Sequence, residues 1–304
     1  MKIHVTIPAS TSNLGPGFDT LGMALTLYNE LSLSPSEKPG ERVVEVDGVR
    51  VSPVDAALAI NALDRTWRVL GFTPKGFHLS MTNRVPMGRG LGSSGATVIG
   101  AIKAAAAFAG KTIANQQALA VALEFEGHPD NITPSLVGGI TVSATANGQV
   151  EFLKIPTPVF HEKGISVVAV VPRLRLATSM AREILPTIVP LEDVVFNLNR
   201  TALLVASLAL GNFESLREAV SDRLHQPYRA ALIPGLMELI AAGYDGGALA
   251  CFLSGAGPSI IALTARHPEQ LGAKMAALWK SHGVEADAMV LGIDEAGARV
   301  EVSE

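Results

Sequence analysis

Residues 86–96 read Pro86-Met87-Gly88-Arg89-Gly90-Leu91-Gly92-Ser93-Ser94-Gly95-Ala96, and four glycines with two serines in so short a span make little sense as packing. Residues 76–82 just before it alternate as a strand does, and residues 96–108 just after it are almost all helix formers, so the loop should feed a helix N-terminus. Glycine lets the backbone take positive φ and approach a ligand closely. The unpaired N–H groups of a first helical turn, together with the helix dipole, favour negative charge there. A plain turn capped by Ser94 needs one glycine rather than four, so the stretch reads as a phosphate cradle.

Two better-known loops match only in part. Gly90-Leu91-Gly92-Ser93-Ser94-Gly95 fits GxGxxG, but a dinucleotide fold needs a strand ending at the first glycine and an acidic residue about 20 positions on. Here residues 110–123 read as helix and no Asp or Glu occurs before Glu124. A P-loop needs a lysine where Ala96 stands, to reach the β- and γ-phosphates. No His-Arg-Asp or Asp-Phe-Gly follows, which excludes a protein kinase.

The 304 residues, 48% apolar and 17% charged, describe a compact globular chain of two domains or one large one. A net charge of −4 without basic runs leaves no footprint for nucleic acid or a membrane surface. The one cysteine, Cys251, stands among Leu249, Ala250, Phe252 and Leu253, as a core residue would, and fits a reducing cytosol. The N-terminus alternates like a strand and lacks an apolar export core. The longest apolar region, 248–265, is broken by Ser254-Gly255-Ala256-Gly257-Pro258 and reads as strand, turn, strand rather than a membrane span.

In chain order, a strand at 3–7 leads into a loop from Pro8 to Asp19, too rich in small polar residues to be core, in which Asn13 and Asp19 are either turn formers or site residues. Strands follow at 24–34 and 42–46, a helix at 55–70, and helices at 96–109 and 115–125. The second of these ends in Glu124-Phe125-Glu126-Gly127-His128-Pro129-Asp130-Asn131, where three carboxylates crowd together; one glutamate, Glu124 or Glu126, is a magnesium ligand on this reading. A Gly C-cap and a Pro stop account for Gly127 and Pro129, but not for His128 and Asn131. Asn147-Gly148 marks a hairpin between strands at 137–144 and 149–153. Residues 155–158 change the texture and divide the chain into domains 1–156 and 157–304. The second domain is α+β: strand 165–171, helices 191–210, 213–221 and 232–242, the strand pair around residues 254–258, helix 268–281 and a last strand at 289–291. Arg223-Leu224-His225-Gln226-Pro227-Tyr228-Arg229 lies between two of the helices.

With the glycine loop, the Pro8-to-Asp19 segment and Leu253-Ser254-Gly255-Ala256-Gly257-Pro258-Ser259 all in view, the chain resembles the GHMP small-molecule kinases and, within them, the homoserine kinases. The likeness runs nearly end to end, strongest at these motifs and at residues 126–131, weakest between residues 35 and 54. It implies a two-domain α+β fold: an N-terminal ATP-binding domain with a left-handed βαβ unit, against the usual hand, and a ferredoxin-like C-terminal domain. ATP would sit between them with its phosphates on Gly88, Gly90, Gly92 and Gly95. Pro86, Met87, Arg89, Leu91, Ser93, Ser94 and Ala96 complete the loop, and Asn61 lies near the adenine. The resemblance also implies Mg2+ on Ser94 and Glu126, an ammonium partner in Asp19, and carboxylate partners in Arg182 and Arg229. Asn13, His128, Asn131, Thr178, Gly255 and Gly257 complete the implied substrate pocket.

The implied substrate, L-homoserine, is a zwitterion with a free hydroxyl, which suits one carboxylate and two guanidinium forks. Mevalonate has no ammonium group for Asp19 to meet. The implied reaction is in-line transfer of the ATP γ-phosphoryl group to the side-chain hydroxyl, in threonine biosynthesis, driven by positioning and charge neutralisation. Some relatives use an aspartate base where Asn131 stands, so no general base is assigned; Asp130 is the remaining candidate. The chain is expected to be cytoplasmic, and a homodimer is implied by resemblance alone. Other GHMP kinases acting on an isoprenoid precursor or a sugar, and an ATP-binding regulator without turnover, stay open.

Overall fold

The computed structural model describes residues 1–303. β1 (Lys2–Ser12) pairs antiparallel with β2 (Leu21–Pro35) and turns Ile3, Val5, Ile7 and Ala9 into the core. The register slips between Pro8 and Ala9, where proline has no N–H to give the ladder. The expected polar loop therefore begins five residues late: Pro8 to Ser12 is strand, and Ser10, Thr11 and Ser12 are buried. Their hydroxyls have partners inside, which removes the cost of burial. Ser10 Oγ donates to Asn131 Oδ1 (2.9 Å), and Ser12 Oγ accepts from Asn131 Nδ2 (3.0 Å).

β3 (Arg42–Val46) and β4 (Val49–Val51) form a short hairpin, α1 (Ala57–Val69) crosses over, and β5 (Phe77–Thr82) returns parallel to β3 and antiparallel to β2. The unit β3-α1-β5 is thus the βαβ crossover of the first domain. α2 (Ser93–Phe108) is buried on nearly every side, as an apolar, alanine-rich helix must be. It starts at Ser93, inside the glycine loop rather than after it. α3 (Asn115–Glu126) ends at Gly127 in the left-handed region, and Pro129 does not stop the helical run. It opens a further helix, α4 (Pro129–Val137), at the first-turn position where a missing N–H costs nothing. β6 (Ile140–Ala146) and β7 (Gln149–Ile155) turn at Asn147 (φ 53°) and Gly148 (φ 72°), as expected for a tight hairpin.

After α5 (Pro158–Glu162), the second sheet takes β8 (Ser166–Pro172), followed by helices α6 (Thr178–Glu183), α7 (Leu191–Leu210), α8 (Leu216–Ala219), α9 (Gln226–Arg229) and α10 (Leu236–Asp245). β9 (Ala250–Leu253), β10 (Ile260–Thr264), α11 (Pro268–Ser281) and β11 (Ala286–Leu291) complete the order β11-β8-β10-β9, antiparallel throughout, which is ferredoxin-like. Alternate residues of β8 face opposite layers. Val168 and Val170 pack with α10 and α11, while Val167, Ala169 and Val171 join Leu21, Met23, Leu25 and Ile140 of the first sheet in a shared core. β12 (Arg299–Ser303) carries the chain back to pair with β1. The two halves are therefore joined by a common core and a returning strand, and the cleft lies between them.

Candidate active site

The glycine loop opens a cleft between the two halves. Gly92 (φ 68°) precedes α2, and no side chain caps that helix. The first intrahelical bond is donated by Ala96 to the Gly92 carbonyl, so the amides of Ser93, Ser94 and Gly95 come before any helical acceptor and line the cleft. Sixteen residues of helix stand behind them, which makes this end an anion site on physical grounds. The carbonyls on the loop's other face are anchored: Leu176 N–H donates to Gly88 O (3.0 Å), Ser254 Oγ lies 2.6 Å from Gly90 O, and Ser10 N–H donates to Leu91 O (3.2 Å). The cradle is preformed, held from both halves.

At its mouth Ser94 Oγ hydrogen-bonds the Glu126 carboxylate. Two hard oxygen donors converging beside a phosphate cradle suit Mg2+. Glu124, the other candidate, points elsewhere and forms a fork with Arg65 (2.7 and 2.8 Å) that holds its carboxyl below the usual range.

The opposite end of the cleft carries opposed charges. Asp19 (φ 55°) receives Arg182 Nη2 on Oδ1 at 2.6 Å, and its backbone N–H donates to Asn13 Oδ1 (3.0 Å). Phe18 lies between the two arginines, with guanidinium carbons of Arg182 and Arg229 5.4 and 5.5 Å from its ring centre. Arg229 is 1% exposed yet lines the cleft. Burial, and then the charge of Arg182, lower it to about 10, so it stays charged at neutral pH. His128 Nδ1 lies 3.5 Å from Asp130 Oδ1. Burial works against charge on His128, but the nearby Asp130 carboxylate, aided by Asp19, prevails and raises its pKa. Asp130 is 2% exposed and its Oδ1 has no hydrogen-bond partner among the described residues. Asn131 is locked between Ser10 and Ser12. Asn13 Nδ2 donates to Gly255 O (3.0 Å), which ties the first half to the Gly255-Ala256-Gly257 turn.

Residues 55–139 match the family described as GHMP kinases N terminal domain, and residues 204–281 match GHMP kinases C terminal. The chain is 44% identical to a homoserine kinase of Aquifex aeolicus over 98% of its own length and 99% of that protein's. It is 41% identical to a homoserine kinase of Carboxydothermus hydrogenoformans, with 97% and 96% covered. The chain belongs to the GHMP kinase family. Its fold superposes on the crystal structure of homoserine kinase from Cytophaga hutchinsonii with a TM-score of 0.88 at 28% identity, covering 99% of this chain and 97% of that one. As a GHMP kinase it is an ATP-dependent phosphotransferase acting on a hydroxyl.

In this GHMP kinase one cleft gathers Asn13, Asp19, Pro86, the four loop glycines, Leu91, Ser93 and Ser94 from the first half, with Glu126, His128, Asp130 and Asn131. From the second half come Thr178, Arg182, Arg229, Gly255 and Gly257. Four candidates lie outside that lining. Asn61 is exposed on α1, Met87 is exposed, Ala96 is in the core, and Arg89 offers its backbone carbonyl to Ser259 N–H (3.3 Å). Ser12, Leu176 and Ala256 line the cleft without having been singled out. Ser12 could have been found from the hydroxyl run Ser10-Thr11-Ser12, which is out of place on an inward-facing strand.

Proposed function

We propose that this GHMP kinase transfers the γ-phosphoryl group of ATP to the side-chain hydroxyl of L-homoserine, giving O-phospho-L-homoserine. The observation that carries the reading is the Asp19–Arg182 ion pair on the cleft wall, with Arg229 beside it. A zwitterionic amino acid would exchange with the ion pair without changing net charge: ammonium on Asp19, carboxylate on Arg182 and Arg229. The names of the relatives support the same substrate.

ATP would occupy the cleft between domains 1–156 and 157–304, with the uncapped amides of Ser93, Ser94 and Gly95 on its phosphates. The pairing of Ser94 and Glu126 supports these two as the holders of Mg2+, which would neutralise phosphate charge. Asn131, immobilised by two serines, keeps a free lone pair on Oδ1 to orient the acceptor hydroxyl. Asp130 needs no proton-transfer role, because a loose phosphoryl-transfer transition state is served by alignment and charge neutralisation. The test is ADP release with ATP and magnesium, comparing L-homoserine with mevalonate and a sugar panel, and weighing the product by mass. Phosphorylated homoserine is the expected product; preferential turnover of mevalonate or a sugar would overturn the reading.

A further inference from the structure

The segment between α8 and α10 holds a buried histidine that takes no part in the reaction as described. His225 is 0% exposed, its two ring nitrogens have hydrogen-bond partners of opposite kind, and the Asp222 carboxylate also lies 3.6 Å from Nε2. Nε2 faces the Gly15 carbonyl at 2.7 Å, and Nδ1 faces Arg229 Nη1 at 3.1 Å. A carbonyl can only accept and a guanidinium can only donate. Nε2 must therefore carry the proton and Nδ1 must be bare, so the ring is neutral in one tautomer. Burial, the largest influence, lowers the His225 pKa; the charge of Asp222 opposes this and that of Arg229 reinforces it.

The ring is itself held in place. Asp222 Oδ2 accepts from the backbone N–H groups of His225 (3.0 Å) and Gln226 (2.7 Å), and Oδ1 accepts from Leu224 N–H (2.9 Å) and Asn197 Nδ2 (2.7 Å). Phe18 covers the imidazole at 5.4 Å between ring centres.

Arg229 has five N–H groups, and the bonds to Ala181 O from Nε (3.0 Å), and to His225 Nδ1 and Gly255 O from Nη1, engage three. The two on Nη2 remain for the cleft. We propose that His225 is a positioning residue: its bare Nδ1 fixes the rotation of the Arg229 guanidinium so that Nη2 meets the substrate carboxylate. This rests on the homoserine reading, in which Arg229 binds that carboxylate.

Two isosteres separate the ring's roles. His225→Asn places an amide oxygen where Nδ1 was and keeps the acceptor for Arg229. His225→Gln reaches the Gly15 carbonyl but removes that acceptor. Kinetics are measured with L-homoserine, with 3-amino-1-propanol, which has the alcohol and amine but no carboxylate, and with varied ATP. H225Q should raise the homoserine KM at least about tenfold, as loss of a bond to a charged group does, with the ATP KM and 3-amino-1-propanol turnover within about threefold of wild type. H225N should recover most of the homoserine KM. Equal losses for both alcohols in both variants, or an unchanged homoserine KM in H225Q, overturns the proposal. Should H225Q melt too low to assay, nitrogen NMR of the wild-type histidines decides. His225 must show bare Nδ1 and protonated Nε2, and its Nδ1 signal must move when homoserine binds; the opposite tautomer, or no movement, refutes the role. A wild-type enzyme that ignores homoserine refutes the substrate reading instead.

Discussion

Adding one methyl group to the glycine loop at two neighbouring positions should have unequal effects. Gly88 and Gly90 both sit in the left-handed region, at φ 67° and 77°. Alanine there costs about 1–2 kcal/mol at either site from the backbone conformation alone. The surroundings differ. A Cβ on Gly88 meets nothing nearer than Arg175 Cβ at 3.9 Å, whereas one on Gly90 collides with the Ser254 carbonyl oxygen and lies 2.9 Å from that of Gly257. Those atoms are backbone, and Ser254 also holds the loop through its hydroxyl, so the turn cannot yield cheaply. Overpacking of this kind adds about 1–3 kcal/mol. At about 2 °C per kcal/mol for a chain of this length, G88A should lower Tm by about 2–4 °C and G90A by about 4–10 °C. The assay is paired thermal melts with and without a non-hydrolysable ATP analogue. G90A should also lose most of the ligand-induced rise in Tm, because the loop must move off the turn. Equal Tm losses in the two variants would refute the claim that close backbone approach, rather than φ alone, demands glycine at position 90.

Asp19→Asn should raise the KM for L-homoserine about 10–100-fold, the worth of a charged partner, while the ATP KM stays within about twofold in initial-rate assays; equal losses for both substrates would remove Asp19 from the ammonium site. His128→Gln should change stability in a pH-dependent way. The folded protein holds the His128 proton above its ordinary pKa, so that contribution is complete below the unfolded value of about 6.5 and fades as pH rises through the folded value. The Tm gap between wild type and H128Q should accordingly be larger at about pH 5.5 than at about pH 8.5. Cys251, 2% exposed and with its thiol pushed far up by burial, should resist iodoacetamide in the native protein and react once urea unfolds it; rapid native labelling seen by mass spectrometry would contradict its burial.

What could be read in the sequence is what local chemistry decides. The Asn147-Gly148 hairpin, α7 at Leu191–Leu210 and α11 at Pro268–Ser281 follow from turn residues and apolar spacing, and the structure keeps them. Where partners distant in sequence decide, the reading fell short. Pro8 to Ser12 looks too polar for a core strand until Asn131 and Ser254 are seen partnering Ser10, Ser12 and Thr11. β12 alternates polar and apolar residues over Arg299-Val300-Glu301-Val302-Ser303, a short strand signal passed over in a terminal stretch, and its partner β1 lies at the other end of the chain. Pro129 reads as a stop and is a start, since either role satisfies proline and only the packing of α4 against β1 and β2 selects one.

The same division separates the site residues. Glycines and charged side chains announce themselves, but Glu124 and Glu126 are adjacent in kind and opposite in fate, separated only by Arg65, which lies 59 positions from Glu124. Asp19 and Arg182 are likewise 163 positions apart. Their pairing gives a physical reason for substrate shape to matter. Separating them without compensation leaves two half-buried charges exposed to each other's absence, a penalty that a neutral alcohol would bear in full. On the proposed reading a zwitterion would replace each partner as it enters, so the ion pair would discriminate by charge pattern before the hydroxyl reaches the phosphate.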